Sequence, residues 1–365
     1  MGELSLQNKI LMVGPLLPPV HGQALAFTRF VENIDTFEEK IVINTNVGDK
    51  IKLFKVLLTF KTIFSIIFKA IFFKYNIVYF TCSRSFLGSI KDIILINIVS
   101  LKGVKIVNHL HGSDFYDFLH SSPIWYQKIL FASYKKVDTS IVLLESMRDQ
   151  FKDFKNMKVE VVANFYDREL GIKLAEKDTQ NINLVYLSNI MNSKGIFELI
   201  DAFEELNKKY DNIYLNIAGG YIADEYMNIE DLKEKFISKI TKCNHIKYIG
   251  KTFGEKKIKL LQSSDIFVLP SYYKSEAFPI SIIEAMACKN AIVTTNYKYI
   301  PDVVSTKNGV LVEPKSVDSL IDGIEILLKD IKKLREVQNY NQQIAKDKYT
   351  LDKYIDSLNK IVTGN

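Results

Sequence analysis

Short apolar runs recur along the chain, separated by longer stretches whose apolar positions follow helical spacing. In the first half KILMVG (9–14), EKIVINTN (39–46), NIVYFT (76–81), VKIVNHLHG (104–112), DTSIVLL (138–144) and KVEVVANFYD (158–167) read as strands. Nearly continuous apolar character over so few residues suits a parallel strand covered on both faces. ALAFTRFVENI, residues 51–74, residues 86–101 and ESMRDQFKDF read as the helices between them. The second half repeats the pattern. NLVYLSN (183–189), NIYLNIAGG (212–220), HIKYIG, DIFVLPS, AIVTT (291–295) and GVLVEP (309–314) are its strands, and GIFELIDAFEELNKKY (195–210) and EKKIKLLQSS are among its helices. The chain from Asp318 onward reads as helical. Strand and helix alternating in each half predict two doubly wound α/β domains facing a cleft. The polar, aperiodic stretch 171–183 is the expected linker. The expected domains are 1–170 and 171–345, with 346–365 as a terminal helix returning to the first.

A length of 365 residues suits two domains of ordinary size. With 47% apolar and 25% charged residues the chain is composed like a globular protein, and disorder is not expected. Three well-separated cysteines, Cys82, Cys243 and Cys288, argue for buried thiols in a reducing compartment rather than a disulfide or zinc framework. MGELSLQNKILMVGP, with its early acid, makes a poor signal peptide. No uncharged apolar stretch reaches the roughly 18 residues of a spanning helix.

The net charge of +6 is unevenly spread: no Asp or Glu occurs between Lys50 and Lys91. At about 100° per residue, Lys52, Lys55, Lys69 and Lys74 fall within one arc of roughly 140°, with Lys61 off it. Residues 51–74 therefore read as an interfacial helix for anionic lipid, or as a core helix with a lysine-rich solvent face. Nucleic acid is not an expected partner.

Candidate chemistry centres on SEAFPISIIEAMACKN (275–290). Proline suits a first helical turn, so a helix is expected from Pro279. The free amides of Ile280, Ser281 and Ile282, backed by the helix dipole, would offer a phosphate site. Glu276 and Glu284 stand eight apart. Facing a phosphate they would repel it; as acceptors for ligand hydroxyls on either side of a diphosphate, as in a nucleotide sugar, they make sense. Spacing alone equally allows two solvated acids on a helix that merely packs. Elsewhere His109 and His111 share a face at a strand's C-terminal edge, where ligands of such sheets bind. A zinc reading of His109, His111 and His120 finds no cysteine nearby and no H-x3-H pair.

E276-AFPISII-E284-AMA resembles the Glu-x7-Glu motif of the family 4 retaining nucleotide-sugar glycosyltransferases (glycosyl transferases group 1), with Ala277 in place of the usual glycine. Pro18-Pro19-Val20-His21-Gly22 is similar to the P-P-x-x-G-G loop that opens that family, with His21 where a further glycine is common. His111-Gly112 matches its His-Gly. Residues 188–195 match its G-R-L-x3-K-G at Lys194 and Gly195, with Asn189 in place of the arginine. Asn164 fits the asparagine near its hinge. The resemblance implies a GT-B fold, two facing Rossmann-like domains with a cleft between them. It implies retaining transfer of a hexosyl or N-acetylhexosaminyl group from a UDP- or GDP-type sugar to a sugar or lipid-linked acceptor, in surface polysaccharide or glycolipid synthesis.

Under that resemblance Glu276, His111 and Lys194 are the catalytic set, Glu276 on donor-sugar hydroxyls and His111 on the transferred sugar. Gly22, Asn189, Lys194, Phe278, Ile280, Ser281, Ile282 and Glu284 bind the donor, Glu284 through the ribose diol. Lys251 and Lys274 are the candidates to replace the missing arginine's charge. Neither a cofactor nor a divalent metal is expected, since no D-x-D stands in a suitable loop. The expected location is cytoplasmic, at the inner face of the membrane. A sugar-nucleotide epimerase, another GT-B enzyme and a basic membrane-binding protein without activity remain the rival readings.

Overall fold

The computed structural model describes residues 8–46, 52–171, 177 and 180–364, with the backbone alone at 52–56 and 171. Most of the expected linker (171–183), the N-terminal residues 1–7 and the side chains of Lys50, Lys52 and Lys55 lie outside the described set. The chain divides into two compact units, Met1–Ala163 with Asp352–Asn365, and Asn164–Leu351.

The first unit is built on a six-stranded parallel sheet: β1 (Lys9–Gly14), β2 (Glu39–Asn44), β3 (Ile77–Thr81), β4 (Lys105–His109), β5 (Thr139–Val142) and β6 (Lys158–Val161), in the order β2-β1-β3-β4-β5-β6. The second has β7 (Ile182–Leu187), β8 (Ile213–Ala218), β9 (Ile246–Gly250), β10 (Ile266–Leu269), β11 (Ala291–Thr295) and β12 (Gly309–Val312), in the order β12-β11-β10-β7-β8-β9. Every strand pair is parallel. Burial explains the pattern of the sequence. The inner strands β3, β5, β10 and β11 are buried at every residue, whereas edge strands β2 and β9 alternate with solvent. A run of uniformly apolar residues thus marks a strand with a helix on each face.

The two expected doubly wound domains are present as two Rossmann-like units. Several elements are shorter than their apolar runs. Residues 158–167 form a strand only over Lys158–Val161, and ESMRDQF closes as a 3-10 turn, Glu145–Phe151, rather than an α-helix. Asn164, just beyond β6, begins the second unit and donates from Nδ2 to the carbonyl of Phe278 at 2.8 Å.

The terminal helix Leu351–Thr363 belongs to the first unit from Asp352 onward. Its Tyr354, Leu358 and Val362 are buried. Lys105 Nζ, at the start of β4, donates to the carbonyls of Ile361 (2.5 Å) and Val362 (3.2 Å), placing a cation at the negative end of the helix dipole.

The helix expected from residue 51 spans Lys52–Phe72. Of the expected lysine arc, Lys74 lies beyond the helix and is exposed, whereas Lys69 lies on the side that meets the core. Ile66 and Ala70, which share that side of the helix, are fully buried, and Lys69 is half-buried with Nζ donating to the Val42 carbonyl at 3.0 Å. Lys61, off the arc, lies on the exposed side among large apolar groups. Uncharged methylenes of lysine tolerate partial burial, so charge spacing alone misassigns the face.

Candidate functional site

Strand order locates the site of the second unit before any side chain is considered. The order of its sheet reverses between β7 and β10, and ligands of open parallel sheets bind beyond the carboxyl ends of the strands at that point. The loops there are residues 188–195, after β7, and 270–279, after β10. They are those that carry Lys194 and Glu276.

The loops are fastened to each other. Tyr272 N donates to the Ser193 carbonyl at 2.8 Å, and Asn192 Nδ2 to Tyr272 Oη at 2.7 Å. Gly195 has φ 71°, a left-handed conformation that leads into the helix Ile196–Asn207. A Cβ there would stand 2.2 Å from the Pro270 carbonyl oxygen, so only glycine lets the loops come so close. Lys194 Nζ consequently reaches Glu276 Oε2 in an ion pair, while Ser271 Oγ donates to the same oxygen at 2.6 Å. Glu276 is 7% exposed, and Lys194 Nζ also lies 4.9 Å from the Tyr273 ring centre.

Pro279 is the N-cap of the motif helix, which runs Ile280–Ala287 and so starts one residue later than expected. Ile280 and Ser281 are half-buried at its mouth. The Ile282 N–H is not free: it donates to the Pro279 carbonyl at 3.1 Å, and its side chain is fully buried. Phe278 turns its ring inward against Tyr349, with centres 5.5 Å apart, so its side chain belongs to the core. Behind the helix, Asn290 Nδ2 donates to Leu261 O at 2.8 Å and Asn341 Nδ2 to Asn290 O at 2.8 Å, which fixes the helix against Ile331–Lys348.

Glu284, 4% exposed, meets Lys257 Nζ at 2.6 Å. Burial raises its pKa; Lys257 opposes that shift, and Asp167 adds to it. Each motif glutamate therefore has its own lysine. Sequence reasoning missed Lys257: of the lysines on the helix Gly254–Gln262, only helix phase separates it from Lys259, which pairs with Glu255. Asn189 is exposed, its carbonyl accepting from Tyr186 Oη at 2.7 Å. Of the two candidate replacement bases, Lys274 pairs with Glu225 at 3.6 Å, and Lys251 lies across Gly220.

In the first unit the order reverses between β1 and β3. Gly22, exposed, opens the helix Gly22–Asn33 after the loop from β1, and His21 caps it, its Nδ1 accepting from Ala24 N at 3.3 Å. His111 lies just past β4, its ring centre 4.0 Å from that of His109. His109 is buried and joined to Tyr79 Oη through Nδ1 at 2.7 Å. The Nε2 atoms of both histidines are buried without a hydrogen-bond partner. Burial first, then the charges of Arg84 and His21, lower the His111 pKa to about 3. Arg84, from the loop after β3, crosses Gly112 to bond Asp114 at 2.8 Å; a Cβ on Gly112 would meet its guanidinium at 1.0 Å. The glycine of the His-Gly pair thus admits an arginine, which the sequence reading did not single out. His120 pairs instead with Asp153 at 2.8 Å. Among the described residues no cluster of three or more His, Cys, Asp or Glu side chains could hold a metal ion.

A parallel sheet of this order, with charged groups gathered beyond its switch point, defines a doubly wound α/β ligand-binding unit. Residues 167–344 match the family model of glycosyl transferases group 1. That segment, almost all of the second unit, belongs to the family, and the expectation of a group 1 glycosyltransferase is met. The chain is 24% identical over 357 residues to an uncharacterized glycosyltransferase of Methanocaldococcus jannaschii, covering 91% of this chain and 88% of the relative. A shorter match, 38% over 99 residues, links it to the N,N'-diacetylbacillosaminyl-diphospho-undecaprenol alpha-1,3-N-acetylgalactosaminyltransferase of Campylobacter jejuni, covering 27% of this chain and 25% of that one. Among solved structures, Anabaena HepE in complex with UDP superposes with a TM-score of 0.72 at 17% identity, covering 98% of this chain and all (100%) of the other. The fold is the GT-B type.

Proposed function

We propose that this glycosyltransferase is of the family 4 type and transfers a hexosyl or N-acetylhexosaminyl group, with retention, from a UDP- or GDP-linked sugar to an acceptor hydroxyl. The observation that carries this reading is the fastening of Lys194 and Glu276 at the switch point of the second sheet, beside the N-terminus of the helix Ile280–Ala287. The barrier is departure of the diphosphate as positive charge grows on the sugar ring. Lys194 and the amides of Ile280 and Ser281 stabilise the leaving oxygens electrostatically. An ammonium has three donors, so Lys194 keeps its bond to Glu276 while serving a phosphate. Glu276 accepts from donor-sugar hydroxyls. Glu284, paired with Lys257, accepts from the ribose diol. Asn189 donates hydrogen bonds without charge, and Gly22 leaves its backbone open to the ligand. His111, neutral at physiological pH, is the residue of the first unit that contacts the transferred sugar. With this cationic and amide frame the reaction needs neither divalent metal nor cofactor.

The Campylobacter relative's acceptor is a sugar on a lipid diphosphate, which supports a lipid-linked or polysaccharide acceptor here, in the synthesis of a bacterial surface polysaccharide or glycolipid. The associated partner is an anionic membrane surface met through residues 50–91, on the cytoplasmic face.

Glu276→Gln preserves volume and removes the carboxylate. Turnover should fall roughly 100-fold or more while the unfolding midpoint moves little. Lys194→Ala should weaken binding of free nucleoside diphosphate by roughly 10- to 100-fold in calorimetry. Unchanged turnover in the first variant and unchanged affinity in the second would defeat the reading. Interconversion of the donor sugar without any acceptor would identify an epimerase instead.

A further inference from the structure

The helix Lys52–Phe72 turns a row of large apolar side chains outward. Leu57, Phe60, Phe64, Phe68, Ile71 and Phe72 are all exposed, Phe64 to 70%. They recur at three- and four-residue intervals and so occupy one side of the helix. Their rings form a continuous ridge: the centres of Phe64 and Phe68 are 6.4 Å apart, and those of Phe68 and Phe72 are 5.0 Å apart. The opposite side, with Ile66 and Ala70, is buried against the unit. The protein therefore holds the helix with its aromatic side facing away from its core. Exposed apolar area on the order of several hundred Å² in one patch is more than scattered surface hydrophobes provide.

We infer that this ridge is an insertion surface for the headgroup–acyl boundary of an anionic lipid bilayer, with the aromatic rings rather than a lysine arc as its main contact. Charge selects the occupant. Lys61 projects from the exposed side, and no acidic residue occurs between Lys50 and Lys91. At the far end, Lys102 Nζ holds the carbonyls of Ile71 (2.9 Å) and Phe73 (2.8 Å), adding a further cation beside Phe72. A second copy of this chain pairing through the same ridge would bring together two helices that carry lysines and no acid to offset them. Anionic headgroups meet the same lysines favourably, and the rings reach past them into the acyl boundary. The helix does not need to span: among the described residues none is long and apolar enough to cross a membrane.

The inference deepens the membrane partner proposed above but does not rest on sugar transfer, because lipid binding is read without donor or acceptor. The full chain is sedimented with vesicles of phosphatidylcholine alone and of phosphatidylcholine with phosphatidylglycerol, at low and high salt. It should pellet with the mixed vesicles and remain bound in part at high salt, where purely Coulombic adsorption would be lost. The triple variant Phe60→Ser, Phe64→Ser, Phe68→Ser should lower vesicle affinity about 10-fold or more, while its affinity for free UDP and its unfolding midpoint stay those of the parent. Phe64→Trp in a Trp125→Phe background should be quenched by lipids brominated along the acyl chain. Recovery of the parent in the supernatant with every vesicle, or equal sedimentation of the triple variant, overturns the inference. A parent dimer that the triple variant dissociates also overturns it, in favour of self-association.

Discussion

At the scale of single residues, each motif glutamate meets a lysine, whereas His111 meets cations. Lys194–Glu276 and Lys257–Glu284 each hold a carboxylate that burial alone would penalise. His111 has no such partner: the fold lowers its pKa from 6.5 to about 3, by burial and by the charges of Arg84 and His21. The unfolded chain then binds a proton that the folded chain refuses. Stability is full above pH 6.5 and is lost as pH falls from there toward about 3. Between pH 7 and pH 5 this one residue should account for about 2 kcal/mol of destabilisation. His111→Gln, which cannot titrate, should show a correspondingly smaller loss when urea midpoints are compared at the two pH values. Equal losses in both proteins would mean that the histidine is protonated in the fold. The place of His111 at a strand end was legible, but its environment was not. Arg84 lies 27 residues upstream, and nothing in the local sequence announces that it crosses Gly112.

At the scale of elements, the loops after β7 and β10 form one unit of structure assembled from two distant segments. Gly195 is where they touch. Gly195→Ala would impose a left-handed backbone on a residue with a Cβ, costing roughly 1–2 kcal/mol, and would push that Cβ into the Pro270 carbonyl. The loops would have to separate, carrying Lys194 away from Glu276. Binding of nucleoside diphosphate should weaken along with the lowered unfolding midpoint, whereas an alanine at the exposed, open position Gly103 should alter stability alone. Retained affinity in Gly195→Ala would show that the pairing of the loops is dispensable. The elements themselves were largely readable. β11 coincides with AIVTT, and the motif helix starts within one residue of its expected position, because apolar runs and proline act locally. The aromatic face of Lys52–Phe72 was not readable from charge spacing. Which side of an all-round apolar helix meets the core is decided by its neighbours, here the strand that supplies Val42.

At the scale of the whole molecule, chain order and spatial membership part company at the C-terminus. The terminal helix Leu351–Thr363 follows the second unit in sequence, yet from Asp352 it is built into the first. The amphipathic spacing of residues 349–362 marks a helix with one apolar side, while its destination was supplied by family resemblance rather than by any residue pattern. Tyr354 lies with its ring centre 6.3 Å from that of His109, and Leu358 and Val362 are fully buried. The helix therefore supports the strand-end histidines from behind. Leu358→Ala would open a cavity in the first unit and should cost about 2–5 kcal/mol. Its effect should be confined by membership: amide exchange should accelerate in β1, β3 and β4 but remain at parent rates in β7, β10 and β11, and free UDP should bind the second unit with unchanged affinity. Because cooperative opening follows packed units rather than chain position, acceleration in β10 or β11 to the same extent would show that the two units unfold as one, and that the helix couples them rather than completing the first.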